Sequence, residues 1–369
     1  MSINLRTALA LCALAPVAAL GLTACGDDDG DSGGSSGGGG GGKTIALLLP
    51  ESKTARYEAL DRPLFTSALK EACADCKLIY ANADQDTSKQ QSQAESAITN
   101  GADVLVLDPV DAEAAGAIVA RAKQSDIPVI SYDRLVQKAD VDYYISFDNE
   151  EVGKLQGQSL VEALGSPQGK SIVMINGSPT DSNAAQFKKG AHSVLDGSGV
   201  KIAKEYDTPD WSPDKAQTEM DQAITAIGKN GISGVYAAND GTAGGAIAAM
   251  KSAGIDPTKV PVTGQDAELA GIQRILLGEQ HMTVYKAIKP EAEAAAKLAY
   301  ALATDGPAPS GLVNGKVDNG SKQVDAVLLK PIAVTKDKIA DTVVKDGVYP
   351  VSAICKGRYA AACKAAGIG

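Results

Sequence analysis

From Lys43 onward, short aliphatic or β-branched runs alternate with longer stretches rich in Ala, Glu, Gln and Lys, and no other feature restricts the fold as strongly. The apolar runs fall at 44–49, 77–81, 104–107, 128–131, 171–175, 201–206, 234–237 and 260–263. Most are apolar at consecutive positions rather than at every second one, as expected of strands covered on both faces in a parallel sheet. Between them, 88–100, 112–124 and 213–229 carry helical patterning. Thr87, and Ser212 followed by Pro213, are helix-start signals. The order of elements predicts an α/β protein made of two doubly wound units in succession.

In open parallel sheets, ligands bind beyond the carboxyl ends of the strands. The residues that follow each run are therefore the candidates. The first run leads into Pro50-Glu51-Ser52-Lys53-Thr54-Ala55-Arg56-Tyr57, and the fourth into Tyr132-Asp133-Arg134. The fifth leads into Asn176 to Asn183, the seventh into Asn239-Asp240-Gly241-Thr242, and the last into Gly264-Gln265-Asp266. A further short apolar run, Met282-Thr283-Val284-Tyr285, ends at Lys286. Asp, Asn and Arg recur at these tips beside an occasional aromatic ring. Planar carboxylate, amide and guanidinium groups engage neighbouring hydroxyls in pairs, and an aromatic ring packs on the C–H face of a pyranose. That chemistry suits a sugar.

Other chemistries find less support. The formal charge of −10 argues against a nucleic-acid partner. The two histidines, His192 and His281, stand in no metal-spaced or nucleophile-spaced cluster. No Walker phosphate loop set between a strand and a helix, and no H-E-x-x-H helix, is present. Gly241 to Gly245 opens a helix but lacks the full dinucleotide fingerprint, and glycines there simply permit close helix–sheet packing. No catalytic activity, cofactor or metal is expected.

The N-terminus reads as a targeting segment over residues 1–25: Arg6, then an apolar run from Ala8 to Leu22, too short to span a bilayer and of signal-peptide length. It ends in Leu22-Thr23-Ala24-Cys25, which resembles a bacterial lipobox with Cys25 as the acyl acceptor. Two or more acyl chains on one residue anchor a protein stably. Residues 26–42 contain only Gly, Ser and Asp, so a disordered tether is expected, about 20–25 Å in root-mean-square span. An extracytoplasmic protein held at the cell membrane by its lipid alone follows from this reading. Of six cysteines, Cys12 lies in the leader and Cys25 is the expected acyl acceptor, leaving Cys73, Cys76, Cys355 and Cys363. Two close pairs in an exported chain favour local disulfides, Cys73–Cys76 and Cys355–Cys363. Redox-motif spacing at Cys73-Ala74-Asp75-Cys76 and a zinc site built from all four are the alternatives.

Tyr144-Ile145-Ser146-Phe147-Asp148-Asn149-Glu150, the stretch from Gly264 to Ile272, and Met282 to Lys286 are similar to segments of the D-xylose-binding proteins of ABC sugar importers, within the type I periplasmic-binding-protein fold. Asn239 to Gly245 and Ser131 to Arg134 also match, and the likeness runs from Lys43 to about Val348. The resemblance implies two Rossmann-like lobes joined by a three-segment hinge near Asp148, Lys286 and Lys330. It would make 43–148 plus 286–329 one lobe and 149–285 plus 330–369 the other. By the same resemblance, the ligand contacts fall on Arg56, Asp133, Arg134, Asn183, Asn239, Asp266 and Lys286, with aromatic packing from Tyr57 and Trp211. One extra residue around Glu58–Leu60, and Tyr57 where tryptophan is expected, depart from the family pattern.

The implied function is capture of a monosaccharide, D-xylose, by hinge closure of a monomer and delivery to an ABC permease. The same fold feeding a chemotaxis or signalling receptor is an alternative, as are ribose, arabinose or glucose as ligand. A sugar-responsive repressor needs a DNA-binding N-terminus where a leader and tether stand here. A glycosidase needs paired acids; Asp133 and Asp266 are candidates, but Arg134 and Lys286 beside them favour the ionised forms.

Overall fold

The computed structural model describes residues 42–369. The 1–25 leader, the acyl-accepting Cys25, and all of the 26–42 tether except its last residue lie outside them.

One sheet has seven strands, β1 (Thr44–Leu49), β2 (Lys77–Asn82), β3 (Val104–Leu107), β4 (Val129–Tyr132), β5 (Tyr143–Phe147), β10 (Gly315–Asp318) and β11 (Gln323–Leu329), in the order β10-β11-β5-β4-β3-β1-β2. All pairings are parallel except that of β10 with β11. The consecutive apolar residues of β1 divide between two cores. Ile45, Leu47 and Leu49 pack with Phe65 of α1 (Arg62–Ala72) and Leu298 of α9 (Ile288–Ala303). Ala46 and Leu48 pack with Ile98 of α2 (Thr87–Thr99) and Ile118 of α3 (Gly116–Lys123). Helices thus cover both faces, which is why the strands are not amphipathic.

The second sheet has β6 (Ser171–Asn176) flanked in parallel by β7 (Lys201–Asp207) and β8 (Gly234–Ala237). A parallel bridge from Val235 to Val262, and another from Gln265 to Val284, carry it on to β9 (Met282–Tyr285), which pairs antiparallel with β12 (Ile332–Thr335). The strand expected at 260–263 therefore contracts to one bridging residue, because Pro261 removes a ladder donor. Here too β6 splits by parity. Val173 and Ile175 pack with Met220 of α6 (Pro213–Ile227) and Ile247 of α7 (Asp240–Ser252). Ile172 and Met174 pack with Leu160 of α4 (Asn149–Leu164) and Leu195 of α5 (Ser182–Ser198).

The chain passes between sheets three times: from β5 into α4, which packs on β8 and β9; from β9 into α9, which packs on β3; and from β11 into β12. A last core joins α8 (Leu269–Leu277), Tyr285 and the C-terminal segment with α10 (Val351–Ile354) and α11 (Ala360–Ala365).

Several local readings need correction. The cap of α2 is Asp86, whose side chain accepts from Lys89 N, and Thr87 is its first helical residue. The helix expected from 112 begins at Gly116, because the Asp111 carboxylate accepts from the Glu113 and Ala114 amides and turns the chain first. Ser212 caps α6 as expected. Gly245 fits helix against helix rather than against the sheet: a Cβ there would lie 2.1 Å from the Pro213 carbonyl. Where an extra residue is expected, near Glu58–Leu60, the chain forms a π-helical turn, Tyr57–Asp61, running directly into α1. Such a turn holds one more residue than an α-turn and is frequent at functional sites. The disulfides are Cys73–Cys76 and Cys355–Cys363. The first closes the end of α1 and the second staples the C-terminal segment, so the four sulfurs do not form a joint zinc site.

Candidate functional site

The nine residues implied by the resemblance reach one place, whereas other tip residues such as Glu51, Asn176 and Asp240 do not line it. Arg56, Tyr57, Asp133, Arg134, Asn183, Trp211, Asn239, Asp266 and Lys286 line a single tight cavity and are 2–5 % exposed. The first sheet supplies Arg56 and Tyr57 after β1, and Asp133 and Arg134 after β4. The second supplies Asn183 in the first turn of α5, Asn239 as the cap of α7, Asp266 after the Gln265 bridge, and Lys286 after β9.

Asp133 is the centre of the charge network. Its Oδ1 accepts from Arg56 Nη1 at 3.2 Å and lies 3.9 Å from Lys286 Nζ, while Oδ2 accepts from the Tyr57 hydroxyl at 2.9 Å. Burial pushes this carboxyl up, but the charges of Arg56, Lys286 and Arg134, with the Tyr57 hydrogen bond, outweigh it and hold Asp133 well below the usual carboxylate range. Lys286 Nζ also lies 3.1 Å from Asp266 Oδ1 and within 6 Å of the Phe147 and Phe187 rings.

Two expected contacts take a different form. Arg56 Nε and Nη2 bind Asp61 at 2.9 and 2.7 Å, and Nη2 also reaches Glu291 at 2.8 Å. With Nη1 on Asp133, four of its five N–H groups are committed. Arg56 is chiefly a scaffold that retains a single donor for a ligand. Tyr57, expected only to stack, is held by its hydroxyl on Asp133 with its ring 5.3 Å from the Arg56 guanidinium and 5.6 Å from that of Arg134. Trp211 does present a ring to the cavity. Its Nε1 donates to Asp181 at 2.9 Å, and it meets Phe187 edge-on at 6.3 Å between centroids. The indole sits over Gly177, where a Cβ would lie 2.0 Å from it.

Several polar atoms remain open. Gln265 Oε1 and Asp266 Oδ1 are buried without an aligned hydrogen bond, the latter despite its nearness to Lys286. Arg134 Nε is likewise out of line, although 2.9 Å from Asp181. Asn239 Oδ1, by contrast, accepts from Thr242 N in a capping box. Buried polar groups are rarely left so, and these face a cavity lined by three cations (Arg56, Arg134, Lys286) and three carboxylates (Asp133, Asp181, Asp266). Equal charge of both signs fits a neutral, many-hydroxyl ligand better than an ion.

Backbone strain concentrates here as well. Asp133, Trp211 and Asp266 have φ of 55°, 52° and 86°. Left-handed conformations cost non-glycine residues about 1–3 kcal/mol each and cluster at functional sites.

Thr54, Asp181, Phe187 and Gln265 also line the cavity and were not singled out from sequence. Asp181 and Gln265 lie in tips already recognised. Phe187 stands four residues after Asn183 on α5, a helical spacing that puts both on one face. Opposite sides of the cleft are joined by Ala112 N to Thr180 O at 3.0 Å, Leu135 N to Ser182 Oγ at 2.9 Å and Asn183 Nδ2 to Asp133 O at 3.0 Å. Among the described residues, no cluster of His, Cys, Asp or Glu is placed to hold a metal ion, and no helix is long and apolar enough to cross a membrane.

A sequence model of the periplasmic binding protein domain matches residues 45–307. The chain is 41 % identical over 314 residues to a D-xylose-binding periplasmic protein of Haemophilus influenzae, covering 84 % of this chain and 91 % of that one. It is 40 % identical over 312 residues to a D-xylose-binding periplasmic protein of Escherichia coli, with the same coverage. Among solved structures, an ABC transporter solute-binding protein from Clostridium phytofermentans with bound β-D-glucose superposes with a TM-score of 0.77 at 28 % identity, covering 85 % of this chain and all of that one.

Proposed function

The chain belongs to the periplasmic binding protein family, with the two-lobed type I fold, and on that premise we propose that it captures D-xylose between its lobes and delivers it to the permease of an ABC importer. The observation that carries this reading is the charge-balanced, ring-walled cavity assembled from both sheets. Extensive identity to D-xylose-binding proteins supports the choice of sugar. Residues 43–148 with 286–329 make one lobe and 149–285 with 330–369 the other. The leader ends at Cys25, whose lipid and the 26–42 tether hold the body at the outer face of the cell membrane.

Binding works by population shift: the open lobes present half-sites, and a sugar that bridges them favours the closed form. Asp133, Asp266, Asn183 and Asn239 accept from or donate to the hydroxyls, Arg134 and Lys286 donate, and Trp211 packs on the C–H face. The protein is a binder rather than an enzyme. Asp133, held ionised, is no proton donor. Specificity against hexoses rests on filling the space of one CH2OH group, a difference often worth only about 1–3 kcal/mol. Glucose is therefore the second candidate, favoured by the glucose-bound structural relative.

A thermal-shift panel of D-xylose, ribose, arabinose and glucose tests the reading, because a ligand of the native state raises the midpoint by mass action. D-xylose should give the largest shift. No shift with any monosaccharide overturns the proposal, and a larger shift with glucose reassigns the ligand.

A further inference from the structure

We propose that Glu268, on the second lobe, is a clasp across the cleft: its carboxyl group caps the first lobe's leading helix only when the lobes are closed, and so sets the strength of sugar binding. The proposal rests on the sugar-binding reading above.

The helical run that begins at Arg56 and continues through the π-helical turn into α1 has unpaired N–H groups at its start, as every helix does. Its own loop serves the residues just before it: Glu51 Oε2 accepts from the Lys53 and Thr54 amides. The next amide, Ala55 N, donates instead to Glu268 Oε1 at 3.4 Å, 213 residues away and across the cleft. Glu268 occupies the N-cap position of its own helix, α8, yet makes no capping hydrogen bond there. Its backbone is fixed by N donating to Asp240 Oδ2 at 2.8 Å, and Asp240 is in turn gripped by Gln280 at 2.6 Å and Thr283 at 3.0 Å. The side chain is 9 % exposed and stands two residues from Asp266, while Ala55 immediately precedes Arg56. One contact therefore ties together the two loops that carry opposing site residues.

Glu268 also couples closure to protons. Burial, with Asp240 and Asp266 nearby, pushes its carboxyl up to about 8 in the closed form, against the Ala55 hydrogen bond and the Arg274 charge, which lower it. Tyr349 of the C-terminal segment faces the same group, and the opposing loop adds Glu51 and the exposed Lys53. Opening withdraws that loop and hydrates Glu268, which lowers its value because burial is the largest cause of the rise, while Asp240 and Asp266 stay beside it on the same lobe. Below the open-form value Glu268 is protonated in both forms, and above about 8 it is ionised in both. Between them closing takes up a proton, so affinity falls as pH rises.

The test compares wild type, Glu268→Gln and Glu268→Ala by titration calorimetry with D-xylose from pH 5.5 to 9, in buffers of different ionisation enthalpy. Wild type should bind with proton uptake and weaken toward pH 8. Glu268→Gln keeps an acceptor for Ala55 N, and should bind without uptake and with a flat pH profile. Glu268→Ala should bind roughly fivefold more weakly than Glu268→Gln at every pH, the usual loss of a helix cap. The sugar-free melting temperature of the glutamine variant should stay at the wild-type value, which separates a clasp from a merely structural role. Equal affinity, pH profile and proton uptake in all three overturns the clasp while leaving sugar binding intact. A wild-type protein that binds no monosaccharide overturns both.

Discussion

Replacing Asp266 with asparagine removes one charge from the site and little else. Lys286 Nζ lies 3.1 Å from Asp266 Oδ1 and 3.9 Å from Asp133 Oδ1, and is 3 % exposed. In the variant, the closed cleft must hold this cation against the more distant carboxylate alone, and a sugar hydroxyl loses a charged acceptor. Truncating one partner of a buried, hydrogen-bonded charge pair costs about 2–5 kcal/mol, or roughly 30-fold to a few thousand-fold in affinity. The sugar-free protein escapes most of this cost, because opening the lobes rehydrates Lys286. Affinity should therefore fall far more than thermal stability. Asp266→Ala should do worse than Asp266→Asn, since φ at this position is 86° and asparagine tolerates the left-handed region better than alanine. Calorimetric titration with D-xylose and thermal melts of the sugar-free proteins measure the two effects separately. Affinities within twofold of wild type in both variants would refute the placement of Asp266 at the ligand.

Trp211 is the chain's only tryptophan, so intrinsic fluorescence reports directly on the cavity: D-xylose should change the emission saturably, and an unchanged spectrum would remove Trp211 from the site. Gly177→Ala, whose Cβ would lie 2.0 Å from the indole, should displace that ring, cost about 1–3 kcal/mol of stability and weaken binding at least tenfold by titration. Asp133 contributes stability that is present above the unfolded carboxylate value of about 3.9 and is lost only as pH falls through its lower folded value. The stability difference between wild type and Asp133→Asn should hold steady from pH 9 to 5 and shrink only in stronger acid; collapse near pH 6 in thermal melts would contradict this. Removing the Cys355–Cys363 bridge, which closes eight residues, should cost roughly 2–3 kcal/mol by chain entropy, and equal melting temperatures with and without it would contradict that account.

Much of the site was legible because the fold class dictates where to look. Once the alternating runs identify parallel sheets, the strand tips are the candidate positions, and Asp133, Asn239 and Asp266 stand at them. The resemblance added residues such as Trp211, which follows no strand directly and reaches the cavity through a strained turn. Phe187 was passed over because it lies one helical turn beyond its tip. The π-helical turn Tyr57–Asp61 was not legible, since no local pattern says whether the chain loops out or widens a helix there.

The sequence alone determined the layering, because runs apolar at every position must be buried on both faces, and it determined which residue types stand at the strand ends. Only the tertiary structure decided how those residues share their bonds. Arg56 is spent on Asp61, Glu291 and Asp133, while Asp266 and Gln265 keep open oxygens. Hydrogen-bond saturation depends on partners up to 235 positions apart brought within 3 Å, and no local pattern in the chain encodes that distance.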